Sequence, residues 1–244
     1  MAGEMKKIKN IFLSNNNDFQ TNVPLFQTEQ GNNVVFPFSP PIYQTKVSEN
    51  LIKDLLFEGD KLTEKDNDHR HKLAGNMKRG YSRLYNDEYS LRHEDWILDR
   101  ARDFIDCFVE RLGEKLVNAL IKKDYDRLKS SNGTLRLDTM WINYQRAGDF
   151  NPSHNHKGVL SFVIFCKVPP RIFTENAVSN SQEAGKIIFN HGYGGESFMA
   201  GNQYPITPYD GLMLMFPAKL EHHVPPFWTD DIRVSVSGNL VAVW

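Results

Sequence analysis

The sequence predicts an α+β fold in which helices support a β jelly roll or barrel. Two observations lead to this prediction. The stretch 95–123 repeats apolar residues at helical spacing, and the chain from Thr134 onward consists of short apolar segments separated by turn signals. Helices followed by many short strands are typical of an α+β chain with a closed β core. With 244 residues the chain is expected to be one domain, with 1–133 as an extended and helical support region and 134–244 as the jelly-roll core.

Composition restricts the possible functions. Charged residues make up 24% of the chain and the formal net charge is −1, so there is no electrostatic case for general nucleic-acid binding. Cys107 and Cys166 fall in a helical and a strand pattern, and they are expected to be free thiols in a reducing compartment. Neither a membrane-spanning run nor a signal peptide is recognisable, so we expect a cytoplasmic protein without a membrane partner.

The N-terminal region contains an extended stretch and a short helix. The stretch 34–43 contains three prolines, which favour an edge strand. Ser48 is expected to cap a helix over 49–57, with Gly59 just past its end. The polar stretch 58–80 follows and contains a first His-x-His pair, His69 and His71. Charged residues surround this pair, so the sequence predicts a solvent-exposed loop.

The amphipathic stretch 95–123 predicts a long helix whose apolar side packs against the outer face of a sheet. The β region then predicts a series of strands connected by turns, with a polar loop over 169–184 that is long enough to be a lid or a disordered segment. The predicted strands cover 134–144, 158–168, 185–190, 196–199, 211–216, 220–224 and 231–243.

A second His-x-His pair, His154 and His156, stands directly before the apolar run 159–165. In a β-strand residues i and i+2 face the same side, so these two imidazoles can point to one place. His222 follows another apolar strand and can supply a third imidazole. Three such ligands suit Fe, Cu, Zn or Ni and leave positions open for substrate or oxygen. The alternative is that this pair, too, lies on a solvated loop.

Several motifs of the β region together resemble a known family. The residues concerned are Trp141-Ile142-Asn143, Gly148, His154-Asn155-His156, Ser161, Gly211, Phe216-Pro217, His222-His223-Val224 and Arg233-Val234-Ser235-Val236-Ser237. This pattern is similar to that of the iron(II)/2-oxoglutarate-dependent oxygenases, and most similar to a branch common in phage genomes. The resemblance covers roughly 134–243. Its most specific part is His222, followed eleven residues later by Arg233 and then by Ser235.

The resemblance implies a double-stranded β-helix core and an Fe(II)/2-oxoglutarate-dependent dioxygenase that uses O₂, most simply a hydroxylase acting on a small molecule or a peptide. It implies that His154 and His222 bind the metal and that Arg233 holds the far carboxylate of 2-oxoglutarate. Ser235 is expected to add a hydrogen bond, and Asn143 or Tyr144 is expected to contact the keto acid. The alternative for Arg233 is a surface ion pair with Asp230 or Asp231.

One position departs from the family pattern. Most of its members have Asp or Glu where this chain has His156. We predict that His156 is the third ligand. The alternative is that His156 lies outside the metal's ligand set and that Asp149 or Asp210 supplies a carboxylate. His223 is expected to face away from the site.

Two other functions are compatible with the same motifs. The spacing Gly148-x5-His154-x-His156 also matches the first half of a cupin metal site, although the glutamate that should follow is missing between 157 and 162. A structural jelly roll, in which the histidines only pack, is the second alternative. A cupin would bind metal without 2-oxoglutarate, and a structural protein would bind no metal.

Overall fold

Two antiparallel β-sheets that share an apolar core organise the chain. The computed structural model describes residues 25–28, 30–35, 40–62, 67–116, 126, 134–175, 182–192 and 202–243. Within them the strands are β1 (Leu25–Gln27), β2 (Asn33–Val35), β3 (Ile42–Lys46), β4 (Tyr81–Leu84), β5 (Thr134–Gln145), β6 (Asn151–His154), β7 (Leu160–Lys167), β8 (Ile187–Asn190), β9 (Gln203–Ile206), β10 (Leu212–Pro217), β11 (His222–Val224) and β12 (Arg233–Val243).

The connectivity of these strands is that of a double-stranded β-helix. The larger sheet has the order β1-β2-β3-β10-β7-β12-β5-β4 and the smaller sheet the order β6-β11-β8-β9. From β5 to β12 the chain alternates between the two sheets, except that β8 and β9 are neighbours in the smaller one. This path is that of a jelly roll, so the predicted fold class is confirmed.

The N-terminal region contributes strands as well as helices. β3 pairs with β10 and β4 pairs with β5, so both strands extend the larger sheet on either side of the jelly-roll strands. The helices are α1 (Glu49–Lys61), α2 (Asp87–Leu116) and the short α3 (Arg171–Thr174), with a 3₁₀ turn at Arg70–Lys72. Among the helices of the described residues, none combines the length and the hydropathy that a membrane-spanning segment needs.

Helix α1 begins where the sequence predicts and ends later. The Ser48 hydroxyl accepts a hydrogen bond from the Leu51 N–H at 3.3 Å, as expected of an N-cap. Gly59 was expected just beyond the helix, but it is buried inside it. A Cβ at Gly59 would lie 2.5 Å from Ile142 Cδ1, so glycine permits the helix to approach β5 closely.

Helix α2 packs as predicted but has different bounds. It begins at Asp87, and the predicted stretch 117–123 lies outside the described residues. Ile97, Ala101 and Phe104 pack in one apolar cluster with residues of the larger sheet such as Met213 and Val236. A second apolar cluster lies between the two sheets and includes Phe165 and Phe189. The larger sheet therefore has helices on one face and the smaller sheet on the other.

The strands that the sequence did not predict are short. β4 lies directly after the polar stretch 58–80, where the sequence predicted no element, and β6 and β9 form the two edges of the smaller sheet. Both edge strands contain a proline, Pro152 or Pro205, which edge strands tolerate but which weakens their sequence signal. The predicted strand 196–199 lies outside the described residues. In the predicted loop 169–184, α3 forms at one end and 176–181 are not described.

Candidate metal centre and active-site cavity

Three histidines converge at one end of the smaller sheet. His154 ends β6 and His222 begins β11, and the two residues are direct cross-strand partners. His156 follows two residues after His154. One ring nitrogen from each histidine lies within 4.8 Å of the others, and the Nε2 atoms of His156 and His222 are 3.3 Å apart. No other group of three potential ligands of this kind occurs among the residues that the structure describes.

Backbone carbonyls determine how two of these rings are oriented. His154 Nδ1 lies 2.7 Å from the Pro152 carbonyl oxygen, and His222 Nδ1 lies 3.0 Å from the Leu220 carbonyl oxygen. A carbonyl can only accept, so each Nδ1 carries the proton and each Nε2 of the neutral ring has a free lone pair. The hydrogen bond at Nδ1 fixes the tautomer and the orientation of each ring, as it does in histidines that bind metals.

Burial keeps all three imidazoles neutral. It lowers the pKa of His154, and it lowers the pKa of His222 well below the ordinary value. Burial and the neighbouring His154 lower the pKa of His156 to about 4. Since only a neutral imidazole binds a metal, the site is prepared for metal binding at neutral pH.

His156 reaches the site in a different way from the prediction. β6 ends at His154, so strict strand alternation does not place His156. The N–H of His156 donates to the Ala218 carbonyl at 2.8 Å, and this bond holds the residue against the turn between β10 and β11. His156 still reaches the other two histidines, because it lies beside the turn that leads to His222.

Neither of the two suggested carboxylates belongs to the histidine cluster. The Asp149 carboxylate is buried and accepts the backbone N–H groups of Arg79, Gly80 and Arg146, at 2.7–3.0 Å. Asp210 accepts the N–H of Val168 at 2.6 Å. Both acids thus stabilise loops, and the alternative that one of them joins the cluster is wrong for this structure.

The histidines open into a cavity of about 880 Å³ between the two sheets. Alternate residues of β5 and β12 face it, because a strand directs every second side chain to the same side. These residues are Thr139, Trp141, Asn143 and Gln145 on β5, and Arg233, Ser235, Ser237 and Asn239 on β12. β5 and β12 therefore present a mostly polar surface to the cavity, whereas β7 and β10 of the same sheet contribute apolar residues such as Phe165 and Phe216.

Arg233 is a buried cation in this cavity. Its side chain donates to the Gly185 carbonyl at 2.8 Å and to Gln145 Oε1, while its Nε has no hydrogen-bond partner. Burial lowers its pKa to about 10, so the guanidinium remains charged at neutral pH. The predicted alternative, a surface pair with Asp230 or Asp231, is not formed, since Arg233 is buried and Asp231 lies instead 3.9 Å from Arg171. No described carboxylate pairs with Arg233.

The structure brings two of the three remaining predicted contacts to the cavity. Ser235 and Asn143 are cross-strand partners and both line it, and Asn143 Oδ1 is buried without a partner. Tyr144 points to the other face of β5, because it is the neighbour of Asn143 in a strand. Its hydroxyl donates to Asp60 at 2.6 Å and its ring stacks on Tyr81. Tyr144 therefore belongs to the helix-covered core and not to the site.

His69 and His71 also line the cavity, a position that the prediction of a solvent-exposed loop did not include. The segment 67–77 is held over the cavity mouth by the bridges Asp68–Arg83 and Asn76–Phe150. His69 is half-buried, with its ring 5.2 Å from that of Trp141, whereas His71 is exposed. The pairing that brings this segment to the site joins residues distant in sequence, so local charge could not reveal it.

Sequence reasoning missed Gln145 and the Gly185 carbonyl. Gln145 is the cross-strand partner of Arg233. It is 5% exposed, and a polar residue at the end of the predicted strand 134–144 was the only available signal. Gly185 lies in the loop before β8, and nothing in the sequence indicates that its carbonyl meets Arg233.

Comparison with known proteins gives one family. Residues 139–239 match the model of a family described as "Putative 2OG-Fe(II) oxygenase". This segment contains the three histidines and Arg233, and it runs from β5 to β12. Among curated protein sequences, none matches this chain.

Several solved structures are similar over most of the chain at low identity. A Pseudomonas putida prolyl-4-hydroxylase is 12% identical, with a TM-score of 0.48, over 81% of this chain and 90% of its own. An oxidoreductase of the 2OG-Fe(II) oxygenase family from Burkholderia pseudomallei is 12% identical, with a TM-score of 0.47, over 82% and 84%. HygX from Streptomyces hygroscopicus, solved with nickel and 2-oxoglutarate, is 11% identical, with a TM-score of 0.46, over 82% of both chains.

Proposed function

Because residues 139–239 form a 2OG-Fe(II) oxygenase domain, we propose that His154, His156 and His222 hold its iron and that Arg233 binds the far carboxylate of 2-oxoglutarate. The proposed activity is that of an Fe(II)/2-oxoglutarate-dependent oxygenase, and the assignment of these four residues is part of this proposal. It rests chiefly on a buried, charged Arg233 that shares one cavity with three convergent neutral imidazoles.

The three imidazoles fit an iron ion. Their nitrogens are close enough to bind one ion, because metal–nitrogen bonds are about 2 Å long. Imidazole suits Fe, and three protein ligands leave positions for other molecules. When bound, iron and 2-oxoglutarate supply the chemistry that transfers one oxygen atom of O₂ to a substrate C–H bond and the other to succinate, with release of CO₂.

Arg233 fits a carboxylate for reasons of charge and desolvation. A buried charge without a counter-ion is costly, and a carboxylate from the cavity would remove that cost. Two guanidinium donors are already held by neutral oxygens, which fixes the orientation of the group while its charge stays uncompensated. Ser235 and Asn143 lie beside it on the same sheet face and are proposed to contribute hydrogen bonds to the cosubstrate.

We further propose that the oxygenase is a hydroxylase and that its primary substrate, a small molecule or a peptide, passes the segment 67–77. His69, His71 and Lys72 of this segment line the cavity, as do Asn155 and Lys157. The near-neutral net charge supports a protein that does not bind nucleic acids in general.

The cellular location and the domain organisation are also part of the proposal. We propose a cytoplasmic protein, because Cys107 and Cys166 are both free thiols. We propose that the chain works as one domain, because β3 and β4 of the N-terminal region belong to the same sheet as the jelly-roll strands.

The first experiment is an anaerobic titration of Fe(II) with and without 2-oxoglutarate, in wild type and in Arg233→Ala. We expect a visible charge-transfer band from the chelated keto acid in wild type. In Arg233→Ala the band should require at least roughly tenfold more 2-oxoglutarate, since a charge-assisted hydrogen bond contributes about 1.5–3 kcal/mol.

The two alternatives give different results in the same titration. Iron binding without the band would favour a cupin-like metal protein. Absence of iron binding would contradict the proposed ligands and leave the jelly roll as a structural scaffold. An unchanged midpoint in Arg233→Ala would remove Arg233 from the cosubstrate site.

A further inference from the structure

Gln145 joins Arg233 to the loop that leads to the metal-binding histidines. Its Oε1 accepts a hydrogen bond from Arg233, and its Nε2 donates to the Asp149 carbonyl at 2.6 Å. We infer that Gln145 is a positioning residue, which aligns Arg233 for the dicarboxylate cosubstrate while leaving its positive charge uncompensated. This inference rests on the proposed function of Arg233.

The two hydrogen bonds define the orientation of the amide. An amide has one accepting and one donating end, and here the accepting end faces a guanidinium and the donating end a carbonyl. A flipped amide would place NH₂ against the guanidinium and oxygen against oxygen, and both contacts would be lost. Gln145 is 5% exposed, so water has little access to replace either bond.

Asp149, whose carbonyl accepts the hydrogen bond from Gln145, is itself held in place by several hydrogen bonds. The Asp149 carboxylate binds three backbone N–H groups, from Arg79, Gly80 and Arg146. The preceding Gly148 donates its N–H to the Phe227 carbonyl at 2.7 Å, in a turn that requires its φ of +82°. The Asp149 carbonyl is therefore a fixed acceptor, and Gln145 transmits that fixed position to Arg233.

The neutrality of Gln145 matters as much as its geometry. A glutamate at this position would form an ion pair with Arg233 and compete with the incoming carboxylate. Glutamine holds the same guanidinium nitrogen with a neutral oxygen, so attraction for an anion in the cavity is retained. The Gly185 carbonyl does the same on the other nitrogen. Among the described residues, Arg233 is thus oriented entirely by neutral acceptors.

The test compares two keto acids that differ only at the far end. Binding of 2-oxoglutarate and of 2-oxobutanoate, which lacks the distal carboxylate, is measured by calorimetry on the Ni(II)-loaded protein. The variants are Gln145→Glu, which adds a charge, and Gln145→Met, which removes both hydrogen bonds at similar length. Gln203→Glu is the matched control, because Gln203 is exposed on β9 outside the cavity.

We expect Gln145→Met to raise the Kd for 2-oxoglutarate roughly tenfold and Gln145→Glu to raise it by at least about 100-fold. The Kd for 2-oxobutanoate and the Ni(II) stoichiometry should stay within about twofold, and Gln203→Glu should resemble wild type. A merely structural role would weaken both keto acids alike, so the ratio of the two Kd values distinguishes positioning from general damage.

Three results would overturn the inference or its premise. Equal affinity of the Gln145 variants and wild type for 2-oxoglutarate would show that Gln145 has no positioning role. An equal loss for both keto acids would make it a structural residue. If wild type itself binds 2-oxoglutarate no better than 2-oxobutanoate, the proposed role of Arg233 fails instead. Should Gln145→Glu not fold, as judged by thermal unfolding, Gln145→Met alone decides.

Discussion

At the scale of single residues, two of the three histidines make the same local hydrogen bond. His154 and His222 each donate Nδ1–H to the carbonyl of the residue two positions earlier, Pro152 or Leu220. Each histidine is thus oriented by its own segment, and the pairing of β6 with β11 then brings the two ring centroids to 4.4 Å. Orientation by the local backbone costs little conformational entropy when a ligand binds, because the rings are already held.

The adjacent histidines of β11 provide a matched test of this arrangement. His222→Ala should lower the affinity for Ni(II) or Fe(II) by at least about 100-fold, because even loss of a partner outside the ligand set costs 10–100-fold. His223→Ala should bind the metal as wild type does, because His223 is outside the histidine cluster and lies near Asn190. Metal affinity is measured by calorimetry at pH 7.5. Equal losses in the two variants would contradict the assignment.

At the scale of elements, the packing of α1 on β5 supports the sheet that carries the site. Ile142 and Tyr144 point from β5 toward α1, while their neighbours Trp141 and Asn143 point into the cavity. Gly59 is the residue of α1 that permits this contact, since a Cβ there would lie 2.5 Å from Ile142 Cδ1 and 3.0 Å from the Tyr144 hydroxyl. Helix α1 thus covers one face of β5, and the opposite face of β5 lines the cavity.

Gly59→Ala should therefore destabilise the protein although alanine favours helices. The gain in helix propensity is about 1 kcal/mol, and overpacking costs roughly 1–3 kcal/mol, so we expect a lower free energy of unfolding. Lys53→Ala, at an exposed position of the same helix, should change stability by no more than about 0.5 kcal/mol. Urea unfolding followed by circular dichroism compares the two. A stabilised Gly59→Ala would show that the helix can move away from β5.

At the scale of the whole molecule, the site joins the two sheets. His154 and His222 come from strands of the smaller sheet, whereas Arg233 comes from β12 of the larger one. A metal ion together with 2-oxoglutarate would contact both sheets at once. Ligands that bind only the folded state stabilise it by mass action.

We therefore expect Ni(II) and 2-oxoglutarate together to raise the melting temperature more than Ni(II) alone. A ligand at a free concentration of 100 times its dissociation constant raises the free energy of unfolding by about 2.7 kcal/mol. This corresponds to a rise in melting temperature of roughly 5–10 °C for a chain of this length. Differential scanning calorimetry measures the shift, and excess chelator should abolish it. A similar shift in His222→Ala would mean that the ions bind elsewhere.

Much of the site was predictable because its signal is local in the sequence. His154, His156, His222 and Arg233 were recognisable from spacing and family resemblance, and the structure brings all four to one cavity. The fold class followed from the order of helical and strand patterns and is confirmed by the sheet topology. The likeness to a phage branch of the family remains a prediction.

What the sequence alone determined is therefore the type of fold, the resemblance to a family and the residues with suitable chemistry. The tertiary structure decided which of them meet. Pairing of strands distant in the chain placed Gln145 beside Arg233, moved His69 to the cavity mouth and turned Tyr144 into the core. It also assigned Asp149 and Asp210 to backbone N–H groups rather than to the histidines. The physical reason is that spacing along a strand gives the side a residue faces, whereas its neighbours depend on contacts between residues far apart in sequence.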